Sequence, residues 1–354
     1  MKKIKWLFSM MCLLILTACS KADDVDDEKK EEMVSNRATT IAVEATQLQV
    51  PWSIQKANET FYISERNGTI AVVQNGQVTR EPVQLNQPLS SQSEAGLLGF
   101  LLMPDFAKSQ RAIAYYTYEQ DGESLNRVVI LQRSENKWHE ITKLLDGIVS
   151  GQYHHGGRLQ IGKDGLLYIT TGDGLKEERA QNLQSLSGKI LRMNLDGSVP
   201  EDNPFSNSYV YSYGHRNPQG LTWDEQGNLY SSEHGSSAHD ELNTIVAGAN
   251  YGWPIIQGDE KKEGMVTPII HSGNVTWAPA GLAYHNGNLY VATLRGEALK
   301  RYHLQSKVME DVVKDVGRIR DVFIEGNMLY FISNNTDGRG NPSKDDDQLY
   351  KVEL

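Results

Sequence analysis

The chain has 354 residues, 39% hydrophobic and 23% charged, with 31 glycines, 16 tyrosines and a formal net charge of −10. That length buries a sizeable core as one large repeat domain or two ordinary ones, and the glycine- and tyrosine-rich mix suits short strands and tight turns better than long helices. The negative charge and the lack of a basic stripe exclude a nucleic-acid surface.

Lys2, Lys3 and Lys5 precede an apolar stretch over residues 6–16, too short to span a bilayer. It ends in Leu16-Thr17-Ala18-Cys19, which resembles the lipobox of bacterial lipoproteins. The resemblance implies a signal peptide over 1–18 and a lipid on Cys19 that anchors the exported chain to a membrane of the bacterial cell envelope. The only cysteines are Cys12 and Cys19, so the mature domain has neither a disulfide nor a cysteine nucleophile. Residues 19–37 are rich in Asp, Glu and Lys and poor in apolar residues, which reads as a solvated tether. The folded domain is expected over 38–354.

In that domain one pattern recurs. A Gly-, Asn- or Asp-rich turn precedes a short strand ending on tyrosine, at Tyr62, Tyr115, Tyr168, Tyr230, Tyr290 and Tyr330. The spacings are 53, 53, 62, 60 and 40 residues, roughly one unit per 53 residues, the length of a four-stranded propeller blade. The alternative is a pair of β-sandwiches with coincidental turns. Helix-period stretches are scarce, the best being 180–192 and 241–247. The last strand, Gln348 to Leu354, is expected to pair with N-terminal strand material and close the ring.

Four polar clusters fall in loops, where catalytic groups concentrate on a rigid scaffold. The first is Tyr153-His154-His155-Gly156-Gly157-Arg158-Leu159, in which adjacent histidines on a strand cannot both face inward. The second is Tyr213-Gly214-His215-Arg216-Asn217-Pro218-Gln219-Gly220, where Arg216 and Asn217 suit a carboxylate or quinone oxygens. The third, Glu233-His234-Gly235-Ser236-Ser237-Ala238-His239-Asp240-Glu241 with Asn250-Tyr251-Gly252-Trp253-Pro254, supplies oxygens for a hard cation such as calcium. The fourth is Gly317-Arg318-Ile319-Arg320-Asp321, whose two arginines face the same way at strand spacing. If these loops converge on one channel mouth, they demand a polyanionic, planar, metal-bound ligand.

Together with Gly96-Leu97-Leu98-Gly99-Phe100, Met103-Pro104-Asp105-Phe106, Gly172-Asp173-Gly174 and Ser187-Gly188-Lys189-Ile190-Leu191-Arg192, these clusters resemble, in order, the glucose/sorbosone dehydrogenase family of pyrroloquinoline quinone (PQQ) enzymes. The resemblance implies an all-β, six-bladed β-propeller that oxidises the anomeric carbon of an aldose, with PQQ and calcium as cofactors. It implies that His154 is the general base, with the His155 side chain expected to point away from the channel, and that Arg216 stabilises charge at the reacting carbonyl. Glu94, Asn217, Thr276, Arg295, Arg318 and Arg320 are implied as cofactor contacts. The carbonyls of Gly235 and Ser236 are implied as ligands of the calcium that also binds PQQ, and Glu241 and Tyr251 as part of a second calcium site. Glucose dehydrogenases proper have Asp where Tyr153 stands and Gln where Glu94 stands, so the sugar preference is expected to differ from theirs. The expected partners are an aldose, a separate electron acceptor and the membrane through Cys19, with a monomeric chain. The rival readings are a calcium-dependent lactonase-type propeller hydrolase, which needs a carboxylate cage in the channel, and a non-catalytic binding propeller.

Overall fold

The computed structural model describes residues 40–354; the expected signal peptide, the Cys19 lipid site and the expected tether lie outside them. Strand β1 (Ala42–Ala45) is followed by a four-strand meander, β2 (Pro51–Ala57), β3 (Thr60–Glu65), β4 (Thr69–Gln74) and β5 (Gln77–Gln84). A second meander runs through β6 (Leu97–Leu102), β7 (Arg111–Gln120), β8 (Glu123–Ser134) and β9 (Lys137–Val149), with a one-turn helix, α1 (Phe106–Ser109), after β6. The third is β10 (Leu159–Ile161), β11 (Leu167–Thr171), β12 (Lys189–Met193) and β13 (Val210–Tyr213), with α2 (Glu178–Gln181) after β11. The fourth is β14 (Pro218–Trp223), β15 (Leu229–Glu233), β16 (Glu241–Ile245) and β17 (Ile270–His271). The fifth is β18 (Pro279–His285), β19 (Asn288–Thr293), β20 (Ala298–His303) and β21 (Met309–Val313). The chain ends on β22 (Ile319–Glu325), β23 (Met328–Ser333) and β24 (Leu349–Glu353).

Within each meander the pairing is antiparallel; the first two share one eight-stranded sheet through a short parallel contact of Val83 and Gln84 with Trp138 and His139. The last three strands are completed by β1, with Ala42 opposite Lys351 and Ala45 opposite Leu349. This is the closure expected from the terminal strand. It joins the two ends of the described chain in one four-stranded sheet, β1-β24-β23-β22. All six repeat tyrosines lie in the second strand of their meander, β3, β7, β11, β15, β19 and β23. The turn that precedes Tyr290 is a two-residue Asn286-Gly287 hairpin with φ of 46° and 77°, the left-handed pair that matches strand twist.

The first strands of successive meanders touch one another in turn, β2 to β6, β10, β14, β18 and β22, and β22 returns to β2. Apolar clusters lie between neighbouring sheets rather than in one central core. One around Trp138 and Phe100 joins the first two meanders, one around Tyr115 and Ile169 joins the next, and one around Ile54 and Ile332 joins the last to the first. The arrangement is a β-propeller. The two stretches with helical period fold otherwise. Only Glu178–Gln181 is helical near the first, while Lys189–Met193 and Glu241–Ile245 are strands. Lys189–Met193 is buried throughout, and a fully buried strand shows no period-2 alternation to distinguish it from a helix.

Candidate active site

The loops at one end of the innermost strands enclose a cavity of about 460 Å³. Its wall carries five arginines, Arg66, Arg295, Arg318, Arg320 and Arg339, against a single carboxylate, Glu94. Trp52, Leu98, Ala278 and Leu294 give it an apolar surface against which a flat ligand can lie.

Arg318 and Arg320 flank Ile319 at the start of β22, so both reach the cavity from one face of the strand, as their spacing predicts. Arg318 is fixed by Asp337 at 2.8 Å and the Leu294 carbonyl at 3.2 Å. Arg320 is gripped by Asn334 Oδ1, at 3.1 and 3.0 Å, and donates to Gln219 Oε1 at 2.8 Å. Burial pushes the Arg320 guanidinium down to about 9, still cationic at neutral pH. Arg66 donates to the carbonyls of Ala95 and Ser93 and is lowered by burial. Arg295 is exposed and makes no ion pair among the described residues. Glu94 meets Arg339 at 2.5 Å, and the Arg339 guanidinium lies 5.4 Å from the Tyr153 ring. Burial works to raise Glu94, but the hydrogen bond and charge of Arg339 outweigh it and hold the carboxyl down at about 2.

His154 sits beside this cavity in the loop before β10, at a φ of 65°. Its Nδ1 lies 2.7 Å from Asp173 Oδ1, and its backbone N–H faces Glu94 Oε2 at 3.4 Å. Asp173 is buried, and it also accepts from the Trp253 indole and the Leu175 amide, each at 2.9 Å. An N–H given to Asp173 from Nδ1 leaves Nε2 with a free lone pair. Gly172 makes this possible, because a Cβ there would overlap the His154 carbonyl. Arg216 follows the same cluster. Its carbonyl accepts from the Asp173 amide at 2.8 Å, its own amide donates to Glu233, and its guanidinium lies 5.3 Å from the Trp253 ring. Asn217 is fully buried and does not line the cavity; its Oδ1 accepts the Gly156 N–H at 3.0 Å and its Nδ2 has no partner among the described residues.

One expectation is overturned. His155 does not turn away from the channel but lines the cavity. Residues 150–158 form a loop, not a strand, so the alternation that separates neighbouring strand residues does not apply.

The proposed metal ligands divide into two neighbourhoods. The Gly235 amide is held by Asp240 Oδ1 at 2.9 Å, while the carbonyls of Gly235 and Ser236 accept no hydrogen bond among the described residues. Glu241 stands opposite Glu233 on paired strands. Burial, with the Glu233 charge behind it, pushes the Glu241 carboxyl up. The Tyr251 ring stacks at 4.7 Å on His215, whose Nδ1 lies 2.8 Å from Glu233. No cluster of three or more His, Cys, Asp or Glu side chains suited to a metal occurs among the described residues. Thr276 lies outside the cavity wall and donates to the Ser237 carbonyl at 2.7 Å, tying two loops together. The site also contains residues to which the sequence assigned no role: Asp173, Gln219 and His234, which stood in quoted clusters, and Arg66 and Arg339. Asp173 stood in a recognised Gly-Asp-Gly motif; Arg66 and Arg339 come from loops with no local signature.

Solved structures and curated sequences give the same grouping. The PQQ-bound form of an aldose sugar dehydrogenase from Streptomyces coelicolor superposes with a TM-score of 0.83 and 35% identity, covering 89% of this chain and 98% of that one. The aldose sugar dehydrogenase YliI of Escherichia coli K12 is 29% identical over 323 residues, 80% of this chain and 87% of the relative. The quinoprotein glucose dehydrogenase B of Acinetobacter calcoaceticus is 37% identical over 199 residues, 48% of this chain and 42% of the relative. Residues 48–343 match the family described as Glucose / Sorbosone dehydrogenase, and the chain belongs to that family.

Proposed function

We propose that the protein is a PQQ-dependent aldose sugar dehydrogenase, oxidising the anomeric carbon of a sugar to the lactone on a propeller of six blades. The observation that carries this reading is the arginine-lined cavity beside the His154–Asp173 pair. PQQ is a planar tricarboxylate, and the residues fit it: five cationic side chains against one carboxylate, with apolar surface on the wall. Buried polar atoms around the cavity also want a ligand. On the wall itself His155 Nε2, His234 Nε2 and Arg318 Nε have no partner among the described residues, and Arg216 Nε and Asn217 Nδ2 have none either; an unpaired buried group costs about 1–3 kcal/mol. Arg318, Arg320, Arg295 and Arg66 would hold the carboxylates, with Glu94 on the same wall and Asn217 behind it, on the Gly156 amide. The six-blade count rests on six four-strand units, with the eight-stranded sheet taken as two of them.

When bound, PQQ supplies the two-electron acceptor for the hydride that leaves the anomeric carbon. His154 Nε2 takes the proton of the anomeric hydroxyl, so that the carbon–oxygen double bond forms as the hydride departs. Asp173 keeps the imidazole in the tautomer that can do this and stabilises the imidazolium that results. Arg216 offers donors where negative charge develops. A calcium ion on the Gly235 and Ser236 carbonyls would add Lewis acidity, and a second at Glu241 and Tyr251 would offset the buried acid pair of Glu233 and Glu241. The hydrolase rival fits less well, because the cavity presents arginines where it needs carboxylates.

Apo-protein given PQQ and calcium should reduce a redox dye in the presence of aldoses; a lactonase would open sugar lactones without PQQ, and a binding propeller would do neither. Lipid anchoring in the cell envelope is proposed from the lipobox-like segment. Cys19→Ala should leave the protein unprocessed or release it from membranes, and unchanged fractionation would remove that proposal.

A further inference from the structure

His155 lines the cavity but has no part in proton abstraction or hydride transfer. Its backbone and ring are both fixed. The carbonyl accepts from Tyr115 Oη at 2.7 Å, and Nδ1 lies 2.8 Å from Ser150 Oγ. The residue is 2% exposed and lines the cavity, yet Nε2 has no partner among the described residues. Burial lowers the imidazole to about 4, so at neutral pH it is uncharged and carries one N–H. A serine hydroxyl donates or accepts equally well, so Ser150 supports either tautomer and leaves the choice to whatever faces Nε2. In a cavity built from arginines, that occupant is an anion, and an anion selects the nitrogen that carries hydrogen.

We infer that His155 is a cofactor-binding residue whose Nε2–H donates to the bound cofactor, set against Ser150 and Tyr115 so that the imidazole cannot turn away. The inference rests on the PQQ reading above. The two adjacent histidines then have different roles. His154 is oriented by a carboxylate and takes protons, whereas His155 is oriented by a hydroxyl and gives a neutral hydrogen bond.

The test is an equilibrium titration of PQQ into apo wild type, His155→Phe and His155→Gln in the presence of calcium, read by quenching of tryptophan fluorescence, since Trp52 lines the cavity. Phe keeps the ring volume and removes both nitrogens; Gln places an amide N–H near Nε2. His155→Gln should bind within about threefold of wild type, and His155→Phe should bind roughly tenfold or more weakly, the effect of one hydrogen bond to a charged partner. Equal affinity in His155→Phe would overturn the inference while leaving the cofactor reading intact. Failure of the wild type itself to bind would overturn both. A second readout needs no stable Phe variant. In histidine-15N-labelled wild type, with the His155 signal identified by its loss in His155→Gln, PQQ should bring Nε2 to a protonated shift with slowed exchange. An Nε2 that stays unprotonated in the complex contradicts the assignment.

Discussion

Asp173 Oδ1 lies 2.7 Å from His154 Nδ1, and that contact decides which imidazole nitrogen is left to act as a base. Two further donors, the Trp253 indole and the Leu175 amide, hold the carboxylate in place. His154→Gln should therefore lower turnover by about two to four orders of magnitude with PQQ affinity retained. Asp173→Asn should lower it by up to about four orders of magnitude, because an amide facing Nδ1 favours the wrong tautomer. Steady-state rates on the reconstituted variants, set beside their PQQ titrations, check both.

The Arg318–Arg320 pair is expected to govern affinity rather than rate. Arg320→Gln keeps a polar side chain near Asn334 and Gln219 but removes the charge, and PQQ should bind roughly ten- to a hundredfold more weakly. Turnover at saturating PQQ should change far less. A fall in turnover with affinity unchanged would move Arg320 out of the cofactor site.

Acid should act on the mouth of the cavity through Glu94. Its carboxyl lies at about 2 in the fold against an ordinary 4.5, so between those values the unfolded chain binds the extra proton. The stability contributed by the Glu94–Arg339 pair is complete above about pH 4.5 and is lost as pH falls toward 2. Urea unfolding of wild type and Glu94→Gln should differ by a constant amount from pH 5 to 7 and converge below pH 4. A gap that widened on acidification would reverse the sign.

Gly172 has no room for a side chain, since a Cβ would overlap the backbone carbonyl of His154, which cannot rotate away as a side chain would. Gly172→Ala should destabilise the fold by roughly 1–3 kcal/mol and displace His154, so that turnover falls with the base itself intact. Denaturant midpoints and rates together test this; an Ala variant of native stability and activity would show that the loop yields freely.

Calcium, if held by the Gly235 and Ser236 carbonyls and at Glu241, binds only the folded chain and so stabilises it. A chelator should lower both the melting temperature and the yield of PQQ-reconstituted activity, and added calcium should restore both. A melting temperature indifferent to chelator would remove the metal from the proposed site.

The fold was legible because each meander repeats the same turn and tyrosine, so Tyr62 through Tyr330 marked the second strand of every unit, and the terminal strand declared its need for a partner. The pairing of Arg318 with Arg320 was legible for the same reason: strand spacing alone puts them on one face. What escaped was whatever depends on loops meeting across the ring. Glu94 and Arg339 are separated by 245 positions, and neither stands in a pattern that names the other. Asp173 was visible as part of a glycine motif, but its work on His154 is a matter of side-chain direction. His155 was misplaced because strand alternation was applied to a loop, and the stretch at 180–192 because the buried strand Lys189–Met193 loses its alternation.

Proton abstraction by His154 is most directly tested by an anaerobic single turnover. Wild type and His154→Gln, each loaded with one equivalent of PQQ and with calcium, are mixed with excess aldose in a stopped-flow instrument and followed by cofactor absorbance. The wild type should reduce its cofactor fully and form one equivalent of lactone, and His154→Gln should do so at least roughly a hundredfold more slowly. Equal rates in the two proteins, or a loaded wild type that no aldose reduces, would contradict the assignment of His154 as the base of a quinone-dependent sugar oxidation.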